Sequence, residues 1–185
     1  MKVYNFSPGP AKLDSSIISK SQEAMYNFQN TGLSILEIGH RSKEFEKLMN
    51  SLQENIRNIF NVPTNYFTLF LQGGATFQNT FIANNFDMRD KDLGCLVTGT
   101  WGKNTFDDFS KIRETKLIEL SQDEIENFVE SGEDLKNVDY LHLTSNETIN
   151  GIQLREFNKI NHDSLLIDMS SDIGSYRFEW DNIAY

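Results

Sequence analysis

The segment LLIDMSSDIG, residues 165–174, joins a short apolar run to an acid and two serines. Its first residues have the length and composition of a buried strand, and Asp168 ends that strand. A carboxylate in apolar surroundings costs several kcal/mol unless it is paired, so Asp168 requires a cationic or hydrogen-bonding partner. Two interpretations remain: Asp168 binds a ligand, or it accepts hydrogen bonds from the backbone of the following turn.

Similar apolar runs precede this segment, each of strand length and apolar throughout rather than alternating. They are FTLFLQ (67–72), GCLVTG (94–99), TKLIEL (115–120) and DYLHLT (139–144). This pattern is typical of strands that are covered on both faces. Amphipathic helical segments lie between most of the runs, and the alternation predicts an α/β fold with a mostly parallel sheet and helices on both faces.

Helix signals accompany this alternation. Residues 45–60 place apolar side chains at the spacing of one helical face, with Ser42 as the N-cap. An earlier helix is expected over residues 14–28, after a turn that contains proline and glycine. Further along, Ser121 and Glu124 have the spacing of a capping box. These signals fix where several helices begin.

Composition narrows the function classes. The 185 residues are 38% hydrophobic and 24% charged, which indicates one ordinary globular domain. The net charge of -10 argues against nucleic acid, because phosphate backbones are bound by surplus Lys and Arg. The single Cys95 excludes an internal disulfide. No stretch approaches the ~20 apolar residues of a membrane span, and we expect a cytoplasmic protein.

The residues just after each run are the candidate site, because ligands of such sheets bind beyond the carboxyl ends of the strands. After residues 67–72 come Gly73, Gly74, Ala75 and Thr76 and then a helix. Glycines that lead into free helical N–H groups suit a phosphate. The alternative is a tight strand-to-helix turn capped by Thr76.

Two further strand ends have distinctive residues. Trp101 follows residues 94–99, where its ring can stack on a flat cofactor or close the edge of the core. Residues 145–148 follow residues 139–144, and their polar side chains suit either a capped turn or a ligand. Together with Asp168, these groups suit a phosphorylated aromatic ring that contains a basic nitrogen. Pyridoxal phosphate is such a molecule.

Several motifs in a fixed order strengthen this interpretation. They are NFSPGP, EIGHRSKEF, LFLQGGAT, TGTWGKN, SNETINGIQ and IDMSSDI. With these motifs the chain resembles the phosphoserine aminotransferase family, a class V group of the fold-type I pyridoxal-phosphate enzymes. The resemblance extends over residues 1–185 and implies the large domain of that fold, with residues 1–15 near the active site.

The resemblance implies a role for each matching residue. Ala75 and Thr76 match positions that bind the cofactor phosphate, and Trp101 matches the residue that stacks on the ring. Thr148 matches the partner of the ring hydroxyl. Asp168 matches the acid that pairs with the pyridinium nitrogen and keeps it protonated, so that the ring can accept electrons.

The implied reaction transfers an amino group between glutamate and 3-phosphohydroxypyruvate in serine biosynthesis, and in many bacteria a related substrate serves pyridoxine biosynthesis. Arg41 matches the residue that binds the substrate carboxylate, a task that suits a guanidinium, although an exposed arginine before a helix is the alternative. The family forms homodimers. No metal is expected, because the three histidines lack ligand spacing.

The family's Schiff-base lysine and its C-terminal small domain match no part of this chain, and both are expected beyond Tyr185. We therefore expect residues 1–185 alone to be inactive, with a damaged sheet and a tendency to aggregate. Three interpretations remain. The chain is a fragment of an active enzyme, one half of a split enzyme completed by a separate C-terminal chain, or a non-catalytic remnant that binds pyridoxal phosphate.

Overall fold

A computed structural model describes residues 3–7, 10–85, 91–131, 135 and 137–185. The chain divides into two compact units, residues 1–58 and residues 59–185. Pro8, Gly9 and Phe86, which fall in the predicted N-terminal turn and in a predicted helix, lie outside the described residues. None of the helices described is both long and apolar enough to cross a bilayer.

The first unit is built on helices α1 (Ser15–Asn27) and α2 (Lys43–Phe60). Asp14 is the N-cap of α1, and its carboxylate accepts a hydrogen bond from the Ser16 backbone N–H at 2.8 Å. Ser42 caps α2 in the same way, because its hydroxyl accepts from the Phe45 N–H at 3.2 Å. Helix α2 therefore begins directly after its predicted cap, and α1 lies within the range expected for it.

The second unit contains the sheet. Its strands in chain order are β1 (Leu93–Val97), β2 (Thr115–Glu119), β3 (Tyr140–Thr144) and, after a two-stranded hairpin of β4 (Asn146–Glu147) and β5 (Ile152–Gln153), β6 (Leu165–Asp168). The four main strands lie in the order β2-β1-β3-β6, and every pair is parallel. The predicted α/β fold with a parallel sheet is confirmed.

Helices cover both faces of this sheet. Helices α3 (Gly74–Asn85) and α4 (Thr100–Ser110) contribute Ile82 and Phe109 to a cluster with Cys95 and Leu166. Helix α5 (Gln122–Ser131) contributes Phe128 to the cluster on the opposite face. Successive strand residues point to opposite faces, so β1 and β3 supply both clusters. At the start of α5, the Glu124 carboxylate accepts from the Ser121 N–H at 2.8 Å.

The predicted strand at residues 67–72 is wrong. This segment has no strand partner in the part of the chain that the structure describes, and it leads as irregular backbone into α3. Its apolar side chains are exposed, with Phe67 at 89% and Leu69 at 65%. A strand forms only where a neighbour satisfies its N–H and C=O groups, so apolar composition alone does not produce one.

The expectation that every strand is covered on both faces is also wrong for β2. This strand is at the edge of the sheet, where Ile118 is 7% exposed and Leu117 is 40% exposed. At the other side of the sheet, β6 has a further neighbour. The N–H of Leu165 donates to the Asn182 carbonyl, and the N–H of Ile167 donates to the Tyr185 carbonyl, each at 2.8 Å.

Candidate functional site

The carboxyl ends of β1, β3 and β6 meet at one edge of the sheet, because all three strands are parallel. A cavity of about 310 Å³ lies in the second unit and is lined by Ala75, His142 and Asp168 together with mainly apolar side chains. Two of the sequence-predicted residues, Ala75 and Asp168, thus share one cavity. A second pair, Trp101 and Thr148, is joined by a direct hydrogen bond.

Asp168 is the last residue of β6 and is partly buried. Its Oδ1 accepts hydrogen bonds from the Ser170 N–H at 2.9 Å and from the Ser170 hydroxyl at 2.5 Å. Its Oδ2 has no hydrogen-bond partner among the residues described. The turn therefore satisfies one carboxylate oxygen. The other remains available for a ligand that occupies the cavity.

The start of α3 has the geometry of an anion cradle. Gly73 and Gly74 have φ values of 96° and 63°, in the left-handed region that favours glycine. A Cβ on Gly73 would lie 2.5 Å from Cβ of Phe77, so a side chain does not fit there. The N–H groups of the first turn, which includes Ala75 and Thr76, have no intrahelical acceptor and suit an anion.

Trp101 lies in the first turn of α4, and the residue is 44% exposed. The indole Nε1–H donates to the Thr148 hydroxyl oxygen at 2.8 Å. Because the Thr148 oxygen accepts in this bond, its own hydroxyl hydrogen can donate to a further group. A half-exposed ring that is anchored at one edge can stack on a flat ligand.

Glu147 is a residue of the site that the sequence interpretation missed. It is 1% exposed, and its two oxygens accept from the N–H groups of Trp101 and Gly102 at 2.7 Å each. One interpretation held that the polar residues 145–148 cap a turn. Glu147 does act as a cap, but it caps the start of α4 rather than its own turn. A glutamate in a polar loop gives no local signal of a partner 46 residues away.

His142 borders the cavity from β3 and is 1% exposed. Burial lowers the pKa of its imidazole to about 4, although the negative charge of Asp168 acts in the opposite direction. The ring is therefore neutral near pH 7. Its Nδ1 lies 3.9 Å from Cys95 Sγ, and the ring meets Phe109 edge-on with centroids 5.3 Å apart.

Arg41 belongs to the first compact unit and not to the cavity. It lies exposed in the turn before α2. Its role in binding a substrate carboxylate stays a prediction, as does the proximity of residues 1–15 to the active site.

Comparisons with known proteins agree with this fold. Residues 3–184 match the family model described as aminotransferase class-V. The chain is 38% identical over 182 residues to phosphoserine aminotransferase of Geobacillus kaustophilus, which covers 96% of this chain and 50% of the relative. It is 37% identical to the Herpetosiphon aurantiacus protein of the same name, over 97% of this chain and 51% of the relative.

Solved structures give the same result. Phosphoserine aminotransferase from Bacillus circulans subsp. alkalophilus matches with a TM-score of 0.83 and 34% identity, over 98% of this chain and 51% of that one. The pyridoxal-phosphate-bound enzyme of Trichomonas vaginalis matches with a TM-score of 0.82 and 29% identity, over 98% and 55%. The chain spans about half the length of the curated relatives it matches. On its fold, its strand-end residues and these matches, the chain belongs to the class-V aminotransferase family.

Proposed function

We propose that this chain supplies the cofactor-binding part of a phosphoserine aminotransferase that uses pyridoxal phosphate. The observation that best supports the proposal is the partly buried Asp168 carboxylate, which keeps one oxygen available at a cavity that also includes the start of α3. The activity proposed for the whole protein is amino transfer from glutamate to 3-phosphohydroxypyruvate in serine biosynthesis.

The described residues fit the cofactor in three respects. The glycine turn before α3 leaves no space for a side chain at residue 73 but has free N–H groups for a phosphate. The available Asp168 oxygen can accept a hydrogen bond from a protonated ring nitrogen, which favours the protonated form. The indole of Trp101 is exposed enough to cover a ring, and the Thr148 hydroxyl can donate to a ring oxygen.

Each of these residues would have a separate task. Asp168 would hold a proton on the ring nitrogen, the N–H groups around Ala75 and Thr76 would bind the phosphate, and Trp101 would cover one face and exclude water. Arg41 would bind the carboxylate of the amino acid or oxo acid through its two parallel N–H donors. Bound pyridoxal phosphate would supply the electron sink that amino transfer requires.

Titration with pyridoxamine phosphate tests the site without requiring turnover. We expect Asp168→Asn to weaken binding about tenfold or more, because it removes the charge that favours a protonated ring nitrogen. Trp101→Ala should weaken binding as well. Asp163→Asn, a change at an exposed acid, is the matched control and should bind like the parent. Parent-like binding by Asp168→Asn and Trp101→Ala would contradict the residue assignments.

Activity is tested separately. Co-expression of this chain with the C-terminal half of a relative should give glutamate-dependent conversion of 3-phosphohydroxypyruvate, and the same pair carrying Asp168→Asn should not. No activity from a soluble, cofactor-loaded pair would count against amino transfer and favour a binding role alone. The homodimer, the cytoplasmic location and the pyridoxine-pathway substrate stay predictions.

A further inference from the structure

We infer that Glu147 is a positioning residue, whose buried carboxylate fixes the first turn of α4 and thereby the orientation of Trp101 over the cofactor ring. The inference rests on the proposed function, in which Trp101 stacks on pyridoxal phosphate. It adds a residue that does not itself contact the cofactor but determines the geometry of Trp101, which does.

The carboxylate is fully engaged by the helix. Its Oε2 accepts from the Trp101 N–H and its Oε1 from the Gly102 N–H, both at 2.7 Å. These N–H groups belong to the first turn of α4, where no intrahelical acceptor is available. A negative charge at a helix N-terminus is stabilised by the helix dipole, and charge-assisted hydrogen bonds are stronger than neutral ones.

Two glycines leave the space that the carboxylate occupies. A Cβ added at Gly99 would lie 2.7 Å from Glu147 Cδ, and one added at Gly102 would lie 3.1 Å from Glu147 Oε1. The two glycines on either side of Trp101 in the GTWG segment therefore admit the carboxylate. This explains a spacing of glycines that the sequence alone leaves without a role.

The same hairpin holds the neighbouring residues of α4. The Asn150 Oδ1 accepts from the Thr100 N–H at 2.9 Å and from the Thr100 hydroxyl at 3.0 Å. The Thr148 hydroxyl accepts from the Trp101 indole at 2.8 Å. Glu147 thus fixes the backbone of Trp101 while the next residue fixes its ring, so both ends of the side chain are held before any ligand binds.

Both side-chain oxygens of residue 147 must accept a hydrogen bond from the helix. In a Glu147→Gln variant the amide presents an oxygen to one helical N–H and an NH₂ group to the other, and two donors then face each other. We expect the first turn of α4 to shift and the indole to leave its position beside Thr148. Glu124→Gln is the matched control, since it makes the same change at a helix start that contains no tryptophan.

The test has two readouts in the same samples. The first is the indole N–H signal of Trp101 in ¹⁵N-correlated NMR, identified by its loss in Trp101→Phe and recorded without ligand. The second is the affinity for pyridoxamine phosphate. Glu147→Gln should shift the indole signal, speed its exchange with solvent and weaken binding roughly tenfold. Glu124→Gln should change neither readout.

Each outcome is decisive. An unchanged indole signal in Glu147→Gln overturns the inference, whatever happens to binding. A shifted indole signal with parent-like binding by Trp101→Ala, which removes the ring, overturns the stacking role in the proposed function instead. If Glu147→Gln does not fold, Gly102→Ala serves in its place. Its Cβ would lie 3.1 Å from Glu147 Oε1 and would displace that oxygen by only a few tenths of an ångström. An unchanged indole signal in that variant overturns the inference equally.

Discussion

Acid should destabilise the second unit through His142. Burial lowers the pKa of this imidazole from 6.5 to about 4, so the folded protein resists a proton that the unfolded chain accepts. The contribution of the neutral His142 ring to the free energy of unfolding is therefore fully present above pH 6.5 and is lost as the pH falls from 6.5 toward 4. This difference between the unfolded and folded pKa corresponds to about 3 kcal/mol in total, and about 2 kcal/mol of this is lost by pH 5.

Carboxylates change the free energy of unfolding in a lower pH range than His142 does. The pKa values of Asp108 and Asp139 are lowered, mainly by a hydrogen bond from Lys111 to Asp108 and by the Asp92 backbone N–H to Asp139. Their stabilisation is present above their ordinary pKa of 3.8 and is lost as the pH falls below it. Between pH 6.5 and pH 5 the histidine effect is thus separable.

Urea unfolding at pH 7.5, 6 and 5, followed by far-UV circular dichroism, measures the loss. The parent should lose about 2 kcal/mol more than His142→Gln between pH 7.5 and pH 5, because glutamine does not titrate. The comparison uses the pH dependence of each protein, so a constant destabilisation by the substitution does not matter. Equal pH dependence in both proteins, or ring signals of His142 that titrate near pH 6.5 in the folded protein, would refute the reasoning.

Three further predictions follow from burial and close contacts. Cys95 is 0% exposed and burial raises its pKa to about 12, so a disulfide reagent should react with it only after unfolding. Tyr66→Phe should lower the free energy of unfolding by about 1 kcal/mol, because the hydroxyl binds the carbonyl oxygens of Trp180 and Ile183 at 2.8 and 2.6 Å. Gly73→Ala should cost about 1 kcal/mol or more and weaken phosphate binding, since its φ is 96°.

Matched controls accompany these measurements. For the thiol, the same reagent applied to urea-unfolded protein gives the full reaction, and rapid reaction of the folded protein would contradict the prediction. Tyr26→Phe changes a tyrosine that is 80% exposed and should leave stability unchanged. Gly39→Ala places a Cβ where no atom lies within 4 Å, so equal losses in Gly39→Ala and Gly73→Ala would exclude the proposed strain.

Local signals predicted much of the fold. Helix starts followed from the Ser42 cap and the Ser121–Glu124 capping box, because the groups that pair in such caps lie within a few residues. Strands β1, β3 and β6 followed from apolar runs that are in fact buried. The place of Asp168 at the end of a strand was also predicted, since the change from apolar to polar residues is visible in the sequence.

Features that depend on distant partners were not predicted. The exposed segment at 67–72 has the composition of a strand, but pairing requires a neighbour that local composition does not reveal. The edge position of β2 depends on strand order, which no single run encodes. Glu147 was missed because its two donors lie on another element. Each of these errors concerns a contact between elements that are far apart in the sequence.

The fit of Glu147 between Gly99 and Gly102 restricts how this protein can change. A methyl group at Gly99 would lie 2.6 Å from Asn150 Oδ1 and 2.7 Å from Glu147 Cδ, so this position does not accept alanine. At Gly102 the methyl group would lie 3.1 Å from Glu147 Oε1, which requires only a small displacement of the carboxylate. Shortening the acid to aspartate does not make room for alanine at residue 99, because Asn150 Oδ1 and the Cγ position of residue 147, at 2.6 and 2.8 Å, still obstruct the methyl group. Alanine at residue 99 therefore requires both Glu147 and Asn150 to change, so the glycine is tied to two side chains of the hairpin rather than to one.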